Sequence, residues 1–166
     1  MDVHIRWAIA RDMQELLYIE DKSFGHLWRE EDFIRYLKQR NCIAMVAENT
    51  KGTDIRGYMV YELHKHRLQL LNLAVHPKFR RKQVGTQLME RLISKLSTQR
   101  RRYIALEVRE TNLAAQHFFH SVGFRAISVL RNFYEDCEED AYLMQYLLQD
   151  QQEVEDSDVI NKVRGK

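Results

Sequence analysis

One stretch limits what this chain can become: a strand that runs through a basic turn into an amphipathic helix and on to another strand. Arg67–Val75 reads as a strand that ends at His76-Pro77. Val84–Leu96 carries Leu88, Leu92, Ile93 and Leu96 on one side, at helical spacing. Tyr103–Val108 is again a strand. A helix set between strands calls for a mixed α/β fold, in which the apolar stripe of the helix is buried on the sheet.

The flanking segments extend that pattern. Val3–Ala8 reads as a first strand. Two helices follow, Arg11–Ser23 with Asp12 as its cap candidate, and Arg29–Gln39. Cys42–Ala47 and Arg56–His64 form a hairpin across the turn Asn49–Asp54. Asn112–Ser121 is a helix that Gly123 stops, and Phe124–Leu130 and Ala141–Leu147 are closing strands. The single proline, Pro77, leaves room for long regular elements. The expectation is one domain over residues 1–148, a mixed and mostly antiparallel sheet flanked by helices. The polar stretch 149–166 reads as a flexible tail.

At 166 residues the chain fits a single core, and 45% hydrophobic residues suffice to close it. Its 26 basic and 24 acidic side chains leave a net charge of +2, so no global attraction to nucleic acid is expected. Two cysteines, Cys42 and Cys137, make a poor disulfide framework and point to a cytoplasmic protein. No membrane partner is expected, since no stretch approaches the ~20 apolar residues of a span. The seven histidines form no metal-ligand pattern, so no metal is implied.

The turn His76–Thr86 has a chemistry of its own. Helix N-termini present unpaired N–H groups and partial positive charge, and successive turn N–H groups can form an anion nest. Lys78, Arg80, Arg81 and Lys82 add full charges. A pyrophosphate held mainly by backbone fits such a turn; so does an ordinary solvated basic loop.

The run Leu73-Ala74-Val75-His76-Pro77, followed by Arg80-Arg81-Lys82-Gln83-Val84-Gly85-Thr86, resembles motif A of the GNAT N-acetyltransferases. The later run Leu106-Glu107-Val108-Arg109, with Asn112, Ala115, Phe119 and Gly123-Phe124, resembles the signature of the RimI-type branch of that family. The resemblance implies the GNAT fold, acetyl-coenzyme A as cosubstrate and a protein N-terminus as acceptor, with a ribosomal protein as the type substrate. It assigns Leu73, Ala74, Val75, Arg80, Arg81, Lys82, Gln83, Val84, Gly85, Thr86, Asn112 and Phe119 to cofactor binding. It makes Glu107 the general base, which takes the proton an amine must lose before attack.

Two positions depart from the family pattern. Gln83 stands where the first glycine of motif A is usual. It either takes a left-handed turn, at a strain on the order of 1–2 kcal/mol, or adopts ordinary helical geometry. Weakened cofactor binding is expected. Phe119 replaces the usual tyrosine acid and has no proton to give. Tyr134 or His117 could protonate the leaving thiolate, or the thiolate could leave unaided, since thiols are only weakly basic. With no nucleophile signature, transfer is expected to be direct within a ternary complex.

The motifs fix the donor better than the acceptor. A lysine side chain or a small amine such as a polyamine is an alternative acceptor, and a non-catalytic acyl-coenzyme A binding module is a further alternative. A weaker idea joins Lys78–Lys82 to Arg100–Arg102 as an RNA contact.

Overall fold

The computed structural model describes residues 1–24, 28–134 and 138–149. The expected tail, beyond Gln149, and Cys137 lie outside the described residues. Seven strands form one sheet: β1 (Val3–Trp7), β2 (Cys42–Asn49), β3 (Ile55–Leu63), β4 (Arg67–Val75), β5 (Tyr103–Arg109), β6 (Arg125–Leu130) and β7 (Ala141–Leu147), in the order β1-β2-β3-β4-β5-β7-β6. Every neighbouring pair is antiparallel except β4 with β5. The helices are α1 (Met13–Ser23), α2 (Glu30–Leu37), α3 (Val84–Ile93) and α4 (Leu113–Ser121). The expected mixed, mostly antiparallel α/β fold is what forms.

The helices cover the two faces of the sheet, each through its apolar stripe. On one face α3 buries Val84, Leu88, Met89 and Leu92 against Met59, Ile104 and Leu106. Each such side chain contributes about 1.5–3 kcal/mol when fully buried. On the other face Leu16 and Ile19 of α1 and Phe33 of α2 pack on Val46, Tyr58 and Val60.

Most element ends fall within one or two residues of expectation, and two differences have a clear local cause. α3 stops at Ile93 instead of Leu96, because Lys95 and Leu96 donate to Leu92 and Ile93, tightening the last turn. Asp12 does not cap α1 through its side chain. Its carboxylate is buried and accepts from the Arg6 guanidinium at 2.8 and 3.0 Å and from the Ile9 N–H at 2.8 Å. The ion pair with Arg6 occupies the group that the helix would otherwise use.

Two irregularities open the middle of the sheet. β4 and β5 stay in register over only Arg67–Gln69 and Tyr103–Ala105, then part. From Leu70 and from Leu106 onward, their facing edges are not paired with each other. β4 also carries an extra residue: Val60 faces Asn72 while Tyr61 faces Leu70, so Leu71 is bulged. A one-residue shift exchanges the two faces of a strand. Leu68 and Leu70 point toward α3 before the bulge, and Leu73 and Val75 do so after it. Asn72 is thereby turned to the face covered by α1.

Candidate active site

The parting of β4 and β5 creates a cleft of about 740 Å³. Leu70–Leu73 line one wall and Leu106–Arg109 the other. Glu20, Ser23, Phe24 and Trp28 close it from the α1 side, while Asn112, Ala115 and Phe119 of the α4 segment and Tyr134 with Glu139 close the rest. Strand edges without a strand partner offer N–H and C=O groups in an extended row. An elongated ligand that carries amides can pair with such a row as an added strand would.

Glu107 stands on the β5 wall and is half-buried. Both its oxygens accept from Gln69 Nε2, at 3.2 and 3.0 Å. Burial raises its pKa above the ordinary carboxylate value; the Gln69 hydrogen bond and the charge of Arg67 pull it down only in part. A carboxylate at the cleft wall with a raised pKa is a stronger base than one in water.

The phosphate-type turn forms at the head of α3. Pro77–Phe79 make a short 3-10 turn, and Arg81 and Gln83 are both left-handed, with φ of 61° and 63°. Gln83 therefore takes the strained alternative. No side chain caps α3, so the N–H groups at Val84, Gly85 and Thr86 head the helix uncapped. Gly85 packs tightly: a Cβ there would come within 3.2 Å of the Phe118 ring, which would have to give way. Arg81, Lys82 and Gln83 are exposed, Thr86 is half-buried, and Val84 is a core residue whose contribution to a ligand is its backbone. Arg80 has another task. Its guanidinium donates to the carbonyls of Val75 at 3.1 Å and Lys22 at 3.0 Å and to Ser23 Oγ at 3.0 Å, fastening the turn to the end of α1.

Asn112 caps α4 as expected, its Oδ1 accepting from the Ala115 N–H at 3.1 Å. Phe119 is buried, edge-on to Phe118 and Phe124, and lines the cleft without offering a proton. Of the two replacement donors, Tyr134 lies on the cleft, with the Arg109 guanidinium 3.8 Å above its ring. His117 is on the exposed side of α4 and does not line the cleft. Leu73 reaches the cleft, whereas Ala74 is buried on the α1 face. The basic runs 78–82 and 100–102 sit at opposite ends of β4: the first follows its last residue, and the second leads into β5, which runs parallel to it. They do not make one surface.

The sequence profile of the acetyltransferase (GNAT) family matches residues 11–124, the span that holds the turn, the parted strands and the Glu107 wall. The chain belongs to the GNAT acetyltransferase family. Among relatives of this acetyltransferase, the [ribosomal protein bS18]-alanine N-acetyltransferase of Escherichia coli K12 is 29% identical over 135 residues, covering 80% of this chain and 89% of that one. The fold superposes on Ard1 from Thermoplasma volcanium with a TM-score of 0.78 at 25% identity, over 90% of this chain and 100% of that one. Arabidopsis thaliana NAA60, solved in complex with acetyl-CoA, superposes with a TM-score of 0.76 at 17% identity, over 89% and 100% of the two chains.

Sequence reasoning missed two residues that line the acetyltransferase's cleft, Glu20 and Asn72, and a third, Gln69, that holds Glu107 from beside it. Gln69 and Asn72 are polar interruptions of the apolar run Leu68–Val75, and both are buried. Glu20 follows Leu16 and Ile19 at buried helical spacing and is only 1% exposed. A polar residue on an apolar stripe was the available signal in each case.

Proposed function

We propose that this enzyme transfers an acetyl group from acetyl-coenzyme A to the α-amine of a protein N-terminus, in the cytoplasm, by direct attack within a ternary complex. The observation that carries the reading is Glu107, a carboxylate of raised pKa on the wall of an open cleft. An α-amine has a pKa of roughly 7.7–8.0 and a lysine side chain about 10.4. The α-amine surrenders its proton to a carboxylate more readily by more than two pK units, which favours it as acceptor. The E. coli relative, an alanine N-acetyltransferase of ribosomal protein bS18, points the same way. A ribosomal protein N-terminus is the first acceptor to try.

In this reading the diphosphate of the donor rests on the head of α3 and the turn Arg81–Thr86, where N–H groups and the helix dipole favour negative charge. Its amide-bearing arm lies along the free edge of β4 at Leu73–Val75, and the thioester reaches the cleft between Leu73, Asn112 and Phe119. Glu107 takes a proton from the incoming ammonium, directly or through water. The freed nitrogen attacks the thioester carbon, the C–S bond breaks, Tyr134 gives its proton to the thiolate, and the surplus proton left on the nitrogen passes to the Tyr134 phenolate, directly or through water. A backbone N–H of β4 steadies the oxyanion between these steps.

The test is to incubate the enzyme and acetyl-coenzyme A with two peptides of one sequence. One has a free N-terminus and a blocked lysine; the other has the reverse. Fragment-ion mass spectrometry should place the acetyl group on the first peptide's α-nitrogen. Acetylation confined to lysine would transfer the assignment to a side-chain acceptor.

A further inference from the structure

Glu20 is buried at the floor of the cleft, and none of the ion pairs among the described residues involves it. Three donors hold its carboxylate. Oε1 accepts from the Trp28 N–H at 3.0 Å. Oε2 accepts from Asn72 Nδ2 at 2.9 Å and from the Tyr58 hydroxyl. Asn72 Nδ2 also donates to the Tyr58 oxygen, at 3.1 Å. Burial and the neighbouring Glu20 charge push the Tyr58 phenol far above its ordinary range, so it remains a donor at any working pH.

Glu20 on α1 is thereby tied to three other parts of the fold: Trp28 two residues before α2, Tyr58 on β3, and Asn72 on β4 one residue past its bulge. Asn72 reaches Glu20 only because the bulge at Leu71 turns it to the α1 face. Its neighbours Leu71 and Leu73 line the wall along which the acyl donor is read to lie. Trp28 lines the cleft opposite, stacked on Tyr36 at 4.7 Å and edge-on to Phe33 at 5.2 Å. A buried charge without a cation is costly unless its hydrogen bonds are complete, so the network tolerates few arrangements.

We propose that Glu20 is a positioning residue for acyl transfer: through Asn72 it fixes the bulged edge of β4 that receives the thioester, and through Trp28 it fixes the wall that receives the acceptor. This rests on the reading of the cleft as an N-acetyltransferase site. Glu20 touches neither reacting atom. Its effect is on geometry, where misplacement on the order of 1 Å costs up to about 100-fold in rate.

The hydrogen-bond pattern supplies its own test. In Glu20→Gln the new amide meets either the Trp28 N–H or Asn72 Nδ2 donor against donor, and the second clash is relieved only if the Asn72 amide turns over and gives up its hydrogen bond to the Tyr58 oxygen. In Asn72→Asp two carboxylates meet. Together the two substitutions restore the pattern. The amide nitrogen introduced at position 20 donates to the carboxylate introduced at position 72, and Tyr58 donates to the same carboxylate. The amide oxygen at position 20 accepts from the Trp28 N–H.

The experiment measures kcat, acceptor KM, coenzyme A affinity and thermal midpoint for the wild type, both single variants and the double variant. Tryptophan emission serves as a reporter of Trp28, since the other tryptophan, Trp7, is already exposed. Each single variant should lose about 10–100-fold in kcat at a temperature where it is folded, bind coenzyme A within about threefold of wild type and shift its emission to the red. The double variant should recover most of kcat and the wild-type emission. Single variants that melt earlier but keep kcat while folded would overturn the proposal, since Glu20 would then serve stability alone. A folded double variant no better than the worse single would overturn it too. A wild type that turns over no amine at all defeats the transferase reading and this inference together, whereas an active wild type with indifferent variants defeats this inference only.

Discussion

Gln69 grips both oxygens of Glu107 from the last paired position of β4 before the two strands part. The carboxylate proposed as the general base is thus anchored where the sheet is still closed and stands beside the place where it opens. A base held at a fixed angle is what a proton transfer needs, and β5 alone would leave the Glu107 side chain several rotamers.

Replacing Gln69 with leucine removes a donor that favours the charged carboxylate. The pKa of Glu107, already raised by burial, should rise further. Activity requires the ionised form, so the acid limb of the kcat/KM profile should move to higher pH. Its plateau should fall about 10-fold or more as the base loses its orientation. A pH profile superimposable on wild type would show that Gln69 has no hold on the base.

The proton donor is tested by a pair of substitutions. Tyr134→Phe should lower kcat by about 10²-fold or more while leaving coenzyme A affinity unchanged, the usual loss when an acid is removed. Phe119→Tyr in that background places a hydroxyl at another position of the cleft lining and should restore part of the rate. Steady-state kinetics at saturating donor decides. An unaffected Tyr134→Phe enzyme would mean that the thiolate leaves without help.

Gln83 sits left-handed at the mouth of the phosphate-type turn. Gln83→Gly removes that steric cost and should stabilise the protein by about 1 kcal/mol and tighten coenzyme A binding modestly. Gln83→Val, branched at Cβ, should do the reverse in both measurements. Thermal melts and calorimetric titration with coenzyme A read the two effects.

Arg6 bridges Asp12 and Glu48, at 2.8 and 2.9 Å. Burial works to raise the Asp12 pKa, but the Arg6 hydrogen bonds, the Ile9 N–H and the charges of Arg6 and Arg11 together outweigh it, and the net shift is downward. Glu48 is also lowered, by its hydrogen bond from His4 and then by Arg6. Carboxylates depressed by folding contribute stability that is present above their unfolded pKa values and lost as pH falls through the folded ones. Arg6→Met should therefore cost about 3 kcal/mol near neutral pH, and the deficit should shrink below about pH 4. Denaturant titrations at several pH values measure it.

The order of elements was legible from periodicity because each strand and helix buries one face, and Arg67–Val75 was read to the residue. Asn112 was legible as a cap because a short polar residue before a helix serves that end, whereas Glu107 and Gly85 were singled out by the motif resemblance; Glu107 lies on the cleft wall and Gly85 at the head of α3. Gly123, read as a helix stop, has φ of 105° and no room for a Cβ beside Tyr146. What escaped was whatever depends on register. The parting of β4 from β5 and the bulge at Leu71 leave no mark on hydrophobic alternation that a single sequence reveals, and they are what bring Asn72 and Glu20 to one cleft, with Gln69 behind Glu107 at its edge. Arg80 illustrates the same limit: its charge suggested a phosphate, and its side chain holds the turn to α1.

The most direct test of the central claim is thiol release from acetyl-coenzyme A with a free N-terminal peptide, wild type against Glu107→Gln, from pH 5 to 9. The expected result is a loss of about 10²-fold or more in kcat/KM and of the Glu107 acid limb. Coenzyme A affinity should be retained. At pH 7 the melting temperature should be no lower than wild type, because an acid whose pKa is raised by folding costs stability once ionised. A Glu107→Gln enzyme that keeps wild-type turnover and the same pH profile would contradict the assignment of Glu107 as the base and, with it, the reading of the cleft.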